Sequence, residues 1–338
     1  MTAVELTEIV EAEDPPELRG SGRDDVSLLV ADRGDGSLAH HPFRDLPGVL
    51  REGDLLVVNT SATLAAALPT ELDGKPVELH LSTCLSPGSW VVELRTVEAT
   101  PLRPPPVGTR LELPLGARAE IVAPYAGGTR LAVCRLELDA PVEQYLRRYG
   151  RPIRYGYARA DLPIDAYQTV FALHPGSAEM PSAGRPFTTS MVTELVSRGI
   201  LIAPITLHAG VSSAELGEPP YPERFRVSEG TARLVNAVRW WGGRVIAVGT
   251  TAIRALESAA GDDGRLDPAD GWASLTITPE TGLQVTDGLL TGWHEPRSSH
   301  LQILEAIAGR ALLDRSYREA RLRGYRWHEF GDLHLILG

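Results

Sequence analysis

The chain is poor in cysteine, in aromatic residues and in long apolar runs. Its two cysteines, Cys84 and Cys134, lie far apart among 338 residues and in no C-x-x-C pair. That excludes a disulfide framework or a thiolate zinc site and leads us to expect two small buried side chains in a reducing compartment. No apolar run approaches the length that spans a bilayer. Residues 1–16 are acidic and lack the basic and apolar segments of a secretory signal, so the expected location is cytoplasmic. Basic charge is in deficit: 33 Lys and Arg stand against 44 Asp and Glu, a net charge of −11. This argues against a broad basic face that wraps nucleic acid, though not against a local groove. Arg147, Arg148, Arg151, Arg154 and Arg159, interleaved with Tyr149, Tyr155 and Tyr157, could form such a groove or a solvated helix end. The adjacent pair His40-His41 lacks metal-ligand spacing, and no metal is expected.

An apolar content of 43% and a charged content of 23% belong to a globular protein, and the length allows two ordinary cores. Strands are expected at 26–32 and 54–59. From about 68 to 138 the texture changes to short apolar runs at 76–81, 90–94, 109–113, 117–122 and 130–136, broken by Gly and Pro. Such spacing predicts a small antiparallel barrel or sandwich. Beyond residue 145 helices and strands alternate: a helix at 188–199, a strand at 200–207, a helix at 228–241, a strand at 245–248 with its helix, then 284–289 and a helix at 301–313. Alternation of this kind predicts an α/β body with a mainly parallel sheet covered by helices. The expected organisation is a discontinuous α/β domain, 1–66 and 151–338, with a β-barrel-like domain, 67–150, inserted in it.

The most informative segment runs from Gly243 to Ser258. A buried strand, 245–248, ends in Gly249, and Thr250 and Thr251 can cap the helix that follows. A strand that turns through glycine into a helix presents backbone N–H groups and two hydroxyls at the carboxyl edge of a sheet, which suits a carboxylate, a phosphate or ribose hydroxyls. An unliganded βα turn reads the same way.

Several blocks occur in a fixed order: Gly53-Asp54-Leu55-Leu56-Val57-Val58-Asn59, Tyr167-Gln168-Thr169-Val170-Phe171-Ala172, Pro181-Ser182-Ala183-Gly184, Thr206-Leu207-His208, the Gly249 segment, Leu289-Leu290-Thr291 with His294, Pro296 and Ser298, and Phe330-Gly331-Asp332. In these the chain resembles the S-adenosylmethionine:tRNA ribosyltransferase-isomerases of queuosine biosynthesis over nearly its whole length. It departs from that pattern at five places. Asn59-Thr60-Ser61-Ala62 and Ala65-Ala66-Ala67 stand where the family has Asn-Asp-Thr-Arg and Pro-Ala-Arg. Arg185-Pro186 replaces Leu-His, Tyr221 replaces a histidine, and Gly210-Val211-Ser212-Ser213-Ala214 replaces Gly-Ala-Gly-Thr-Phe.

The resemblance implies a barrel set into an α/β domain, S-adenosylmethionine as co-substrate without a metal, and tRNA as partner. The ribosyl portion would pass to the aminomethyl group of a 7-deazaguanine base. Such chemistry needs a base for a hydrogen acidified by the sulfonium, and donors that hold developing charge. His208, closing the strand 200–207, and Glu223 are the candidate catalytic groups; a structural histidine and a solvated carboxylate are the alternatives. Ser182, Gly184, Thr188, Thr206, Gly249, Thr250, Thr251, Arg254, His294, Ser298 and Ser299 are the candidate binding residues. For Arg254 a carboxylate fork competes with an ion pair to Glu257, and for Thr188, Ser298 and Ser299 binding competes with helix capping. A small acceptor other than tRNA, or a non-catalytic nucleoside- or RNA-binding role, remains compatible with the departures.

Overall fold

The structure, a computed structural model, describes residues 9–127, 129–154, 156–159, 161–211, 220–295 and 300–338. Its frame is a nine-stranded sheet. Across the sheet the strands run Ala269–Ala273, Glu223–Val227, Leu201–Leu207, Leu55–Asn59, Val245–Val248, Gly288–Gly292, Leu333–Leu337, Ser27–Asp32 and Leu38–Pro42. The four strands from Leu201 to Gly288 in that order are mutually parallel, as is the pair Leu333–Leu337 with Ser27–Asp32. The flanking pairings are antiparallel. The expected parallel sheet is thus found at the centre of a mixed one.

The central strands are apolar along most of their length because both of their faces are covered, with polar side chains confined to their carboxyl ends at Asn59, Thr206 and Thr291. Leu55 and Val57 join one core with Val245 and Ala247, against the helices Glu229–Trp240, Thr250–Ala259 and His300–Ala308. The alternate residues Leu56, Val58, Ile246 and Val248 enter a second core with Phe43, Phe187, Met191 and Leu195. This is the two-residue alternation of a strand, with both faces apolar. At the amino edge, Arg244 donates to Asp54 through Nε (2.9 Å) and Nη2 (2.6 Å), tying the two central strands together where they begin.

A second, six-stranded antiparallel sheet runs Ala67–Leu72, Lys75–Ser86, Ser89–Thr96, Leu131–Glu137, Arg118–Pro124 and Arg110–Glu112. Its two edge strands meet where Thr70 Oγ1 donates to the Glu112 carbonyl (2.8 Å), so the sheet curls into a nearly closed barrel with its own core.

Several local expectations need correction. The helix expected over 301–313 is two helices, His300–Ala308 and Arg310–Leu322, because Gly309 between them has φ +73°. The strand expected at 284–289 begins later, at Gly288, because the main chain of 284–286 donates to the Glu257 carboxylate instead of a neighbouring strand. Cys134 is buried, and burial pushes its thiol up to about 12, but Cys84 is exposed. Of the arginine cluster, Arg151 pairs with Glu78 and Arg159 with Glu13, and Arg154 lies 3.9 Å from Asp161, so much of its charge is spent within the chain. Tyr155 lies outside the described residues. No helix among the described residues is long and apolar enough to cross a membrane.

Candidate active site

Three of the four parallel strands lead at their carboxyl ends into one cleft of about 960 Å³, including the solvent at its mouth. The strand Val245–Val248 delivers Gly249, which adopts φ +95° and ψ 157°, a conformation that side-chain-bearing residues rarely take. Gly249 N–H donates to the Leu290 carbonyl (2.8 Å), which fixes the turn to the neighbouring strand.

Gly249 is the N-cap of the helix Thr250–Ala259, and no side chain caps it. The two threonines expected to cap are instead the first two helical residues. A glycine cap offers no side-chain oxygen, so the N–H groups of Thr250 and Thr251 stay available to a ligand, at the positive end of the helix dipole, while that of Ala252 donates to the Gly249 carbonyl (3.1 Å). Thr251 Oγ1 accepts from Asn59 Nδ2 (3.1 Å). Asn59 Nδ2 also donates to the Leu207 carbonyl, while its Oδ1 accepts from the N–H groups of Ser61 and Leu207. One amide therefore locks three chain segments at the floor of the cleft.

Glu223 and Arg254 form an ion pair within the cleft. Glu223 also accepts from the Gly210 N–H (2.9 Å), and Arg254 Nη2 donates to the carbonyls of Tyr221 (3.1 Å) and Ala273 (3.0 Å). The Arg254 Nε is buried and has no partner. Arg254 is therefore not paired with Glu257, which lies on the same helix. The Glu257 carboxylate instead accepts from the N–H groups of Gln284, Val285 and Thr286 and from the Thr286 hydroxyl.

On the opposite wall His294 Nε2 lies 2.9 Å from Thr291 Oγ1, and its ring stacks on His300 at 4.6 Å. Burial, reinforced by neighbouring histidines, lowers the His294 pKa well below its usual value. Burial, with Arg254 nearby, takes His300 to about 4. Both rings are neutral at neutral pH. Glu329 also faces the cleft, with a buried Oε2 that has no partner. The barrel supplies Ser82 and Thr83, and Ser82 Oγ accepts from the Val211 N–H (3.0 Å), so the inserted strands form part of the wall.

Of the residues singled out from sequence, Ser182, Glu223, Gly249, Thr250, Thr251, Arg254 and His294 line this cleft. Four others do not. Thr188 caps the helix Thr189–Ser197 by accepting from Met191 N–H. Gly184 packs against Thr169 and Phe171. The Thr206 hydroxyl lies 3.0 Å from that of Thr60. His208 points away: its Nδ1 lies 2.7 Å from Ser61 Oγ, which lies 2.7 Å from Ser177 Oγ. Burial, with His174 and Arg224 nearby, lowers the His208 pKa. Ser298 and Ser299 lie outside the described residues. Sequence reasoning missed Glu329, His300, Ser82 and Thr83. Only Glu329 had a signal, as the residue preceding the Phe330-Gly331-Asp332 block. Among the described residues, no three His, Cys, Asp or Glu side chains are grouped to hold a metal ion.

A cleft at the carboxyl ends of a parallel sheet, with an uncapped helix N-terminus in its floor and an antiparallel barrel in its wall, defines an α/β enzyme of the small-ligand type. A family model described as "Queuosine biosynthesis protein" matches residues 3–336, and the chain belongs to that family. Proteins named S-adenosylmethionine:tRNA ribosyltransferase-isomerase are among its relatives. That of Symbiobacterium thermophilum is 36% identical over 326 residues, covering 93% of this chain and 94% of the relative. That of Thermus thermophilus is 37% identical, with 93% of each chain covered. A crystal structure titled as an S-adenosylmethionine tRNA ribosyltransferase, from Thermotoga maritima, is 28% identical. It aligns over 98% of this chain and 100% of its own, with a TM-score of 0.54.

Proposed function

We propose that this chain transfers and isomerises the ribosyl portion of S-adenosylmethionine onto the aminomethyl group of a 7-deazaguanine base in tRNA. The observation that carries this reading is the uncapped helix N-terminus at Gly249, open to a cleft that also holds an unpartnered Arg254 Nε. The N–H groups of Thr250 and Thr251 and the Thr250 hydroxyl suit the ribose oxygens or the methionine carboxylate, and Arg254 Nε suits that carboxylate. The carboxylates of Glu179 and Glu223 make the cleft hospitable to a positive sulfur, since Arg254 is the one arginine or lysine in its lining among the described residues.

The sulfonium supplies acidity to the neighbouring 5′-carbon and a good leaving group. The protein's part is to orient the sugar against the Gly249 turn, to keep His294 and His300 neutral, and to accept a proton at a carboxylate. Asn59 and the Glu223–Arg254 pair hold this geometry without reorganising as charge develops, which is how preorganised dipoles lower a barrier. Because both Glu223 oxygens are engaged, one by Arg254 and one by the Gly210 N–H, its role in this reading is to position Arg254.

A second acceptor class is favoured by one observation: the guanidinium of Arg254 is committed to Glu223, and no arginine stands at 59–67. An acceptor smaller than tRNA would fit that scarcity of cations. Incubation of the protein with S-adenosylmethionine, with and without unmodified tRNA bearing the deazaguanine base, tests both readings. Adenine release that depends on the tRNA is the expected result. Release indifferent to tRNA favours the small acceptor, and no release under any condition refutes the enzymatic reading.

A further inference from the structure

The cleft contains a carboxyl with one oxygen that the fold has deprived of a partner. Glu329 Oε2 is buried and accepts no hydrogen bond, in a cleft whose lining also includes Thr250, Thr291 and His300. Its position is set by a tight loop. His328 takes φ +73°, and its ring stacks on Tyr157 at 4.3 Å. The Glu329 N–H is 3.4 Å from the Tyr157 hydroxyl. Two residues on, Gly331 passes so close to the Arg326 and Trp327 carbonyls that a Cβ there would lie 2.4 and 2.7 Å from them. Phe330 is buried beneath the Arg185 guanidinium. A carboxyl held this firmly, with one oxygen unpartnered, is configured for a group that arrives with the substrate.

We propose that Glu329 receives the cationic amine of the acceptor and takes its proton, freeing the nitrogen lone pair to attack the sugar. This rests on the ribosyl-transfer reading. The step is a plain proton transfer. The N–H bond of the ammonium breaks and leaves its electron pair on nitrogen, an O–H bond forms at Glu329, and one positive and one negative charge become two neutral groups. Burial favours that direction, because a desolvated site penalises both ions.

The neighbouring groups do not compete. Each Glu223 oxygen is engaged, one by Arg254 and one by the Gly210 N–H, and the Arg254 charge holds that carboxylate ionised in its pair. His294 and His300 are poor bases there, since burial holds their proton affinity low. Glu179 is not without a partner. Across the loop, His328 carries a lowered pKa and stacks on Tyr157 away from the carboxyl. Burial raises the Glu329 pKa to about 7, which matches a general base to neutral pH.

The test compares wild type with E329Q and E329D, using S-adenosylmethionine and the tRNA acceptor between pH 5.5 and 9. For E329Q we expect kcat at pH 7 to fall about 100-fold, with S-adenosylmethionine affinity by calorimetry unchanged within twofold. Its rate should then climb about tenfold per pH unit as bulk water deprotonates the amine. E329D should keep a wild-type-shaped profile at a reduced rate. In the absence of substrate, potentiometric titration of wild type minus E329Q should show one group titrating near pH 7. An E329Q enzyme with wild-type kcat and pH profile overturns the proposal while leaving the ribosyl-transfer reading intact. A wild type that releases no adenine removes that reading and this step with it.

Discussion

Glu223 and Arg254 lie 31 residues apart, on the sheet's antiparallel flank and on the helix after Gly249, yet they form one buried ion pair that no nearer charge replaces. Removing one partner of such a pair leaves an uncompensated buried charge, which typically costs about 3–5 kcal/mol. R254M is therefore expected to lose about 3 kcal/mol of stability in urea denaturation, and the double variant E223Q/R254M to lose less than the sum of the singles. Additive losses would show that the two groups do not act as a pair.

Gly249 has room for a methyl group, since an added Cβ would meet Ala183 Cβ at 3.5 Å, but its φ of +95° is hostile to any side chain. G249A should therefore destabilise by about 1–3 kcal/mol through backbone strain, measurable by chemical denaturation. A variant as stable as wild type would mean that the turn relaxes freely.

The His208 ring packs on Gly176, where a Cβ would lie 2.4 Å from Nδ1. G176A should lower the melting temperature sharply, and H208A should restore it in the double variant. Because His208 does not line the cleft, H208A alone should keep kcat within about tenfold of wild type, less than the 10²–10⁴ typical of a lost general base. A larger fall would return His208 to the chemistry.

Glu329 and His300 give opposed pH dependences of stability. The folded pKa of Glu329 is raised from 4.5 to about 7, so the unfolded chain releases its proton first and stability falls between those values, by about 3 kcal/mol at most. His300 is lowered from 6.5 to about 4, so the unfolded chain binds the extra proton and stability rises over that range. Wild type should look nearly flat between pH 4.5 and 6.5 on these two groups. E329Q removes the falling component, so its stability relative to wild type should increase steadily from pH 4.5 to 7 in urea titrations. A constant difference across that range would contradict the burial of the carboxyl.

The main architecture was legible because its signals are local. Apolar strands flanked by glycine and short β-runs broken by proline each reflect a nearest-neighbour preference. The helix expected from 228 is found at Glu229–Trp240, where Ser228 caps it by accepting from Thr231 N–H. What was not legible depends on contacts distant in sequence. Arg254 has Glu257 one turn away, yet the carboxylate it meets is on another strand, while Glu257 serves the backbone of 284–286. Thr250 and Thr251 looked like caps, but the backbone angles of Gly249 shifted the helix start by one residue. Glu329 carried no sign of its isolation, because a missing hydrogen bond is visible only once the surrounding elements are in place.

The proposed reaction requires a sugar nucleoside seated against the Gly249 turn. Isothermal titration of S-adenosylmethionine into wild type and into G249V tests it directly, with far-ultraviolet circular dichroism confirming that both are folded. Saturable heat in wild type that is lost in folded G249V is the predicted result. No heat in wild type, or equal affinity in the two proteins, would contradict the placement of the ligand at this helix N-terminus.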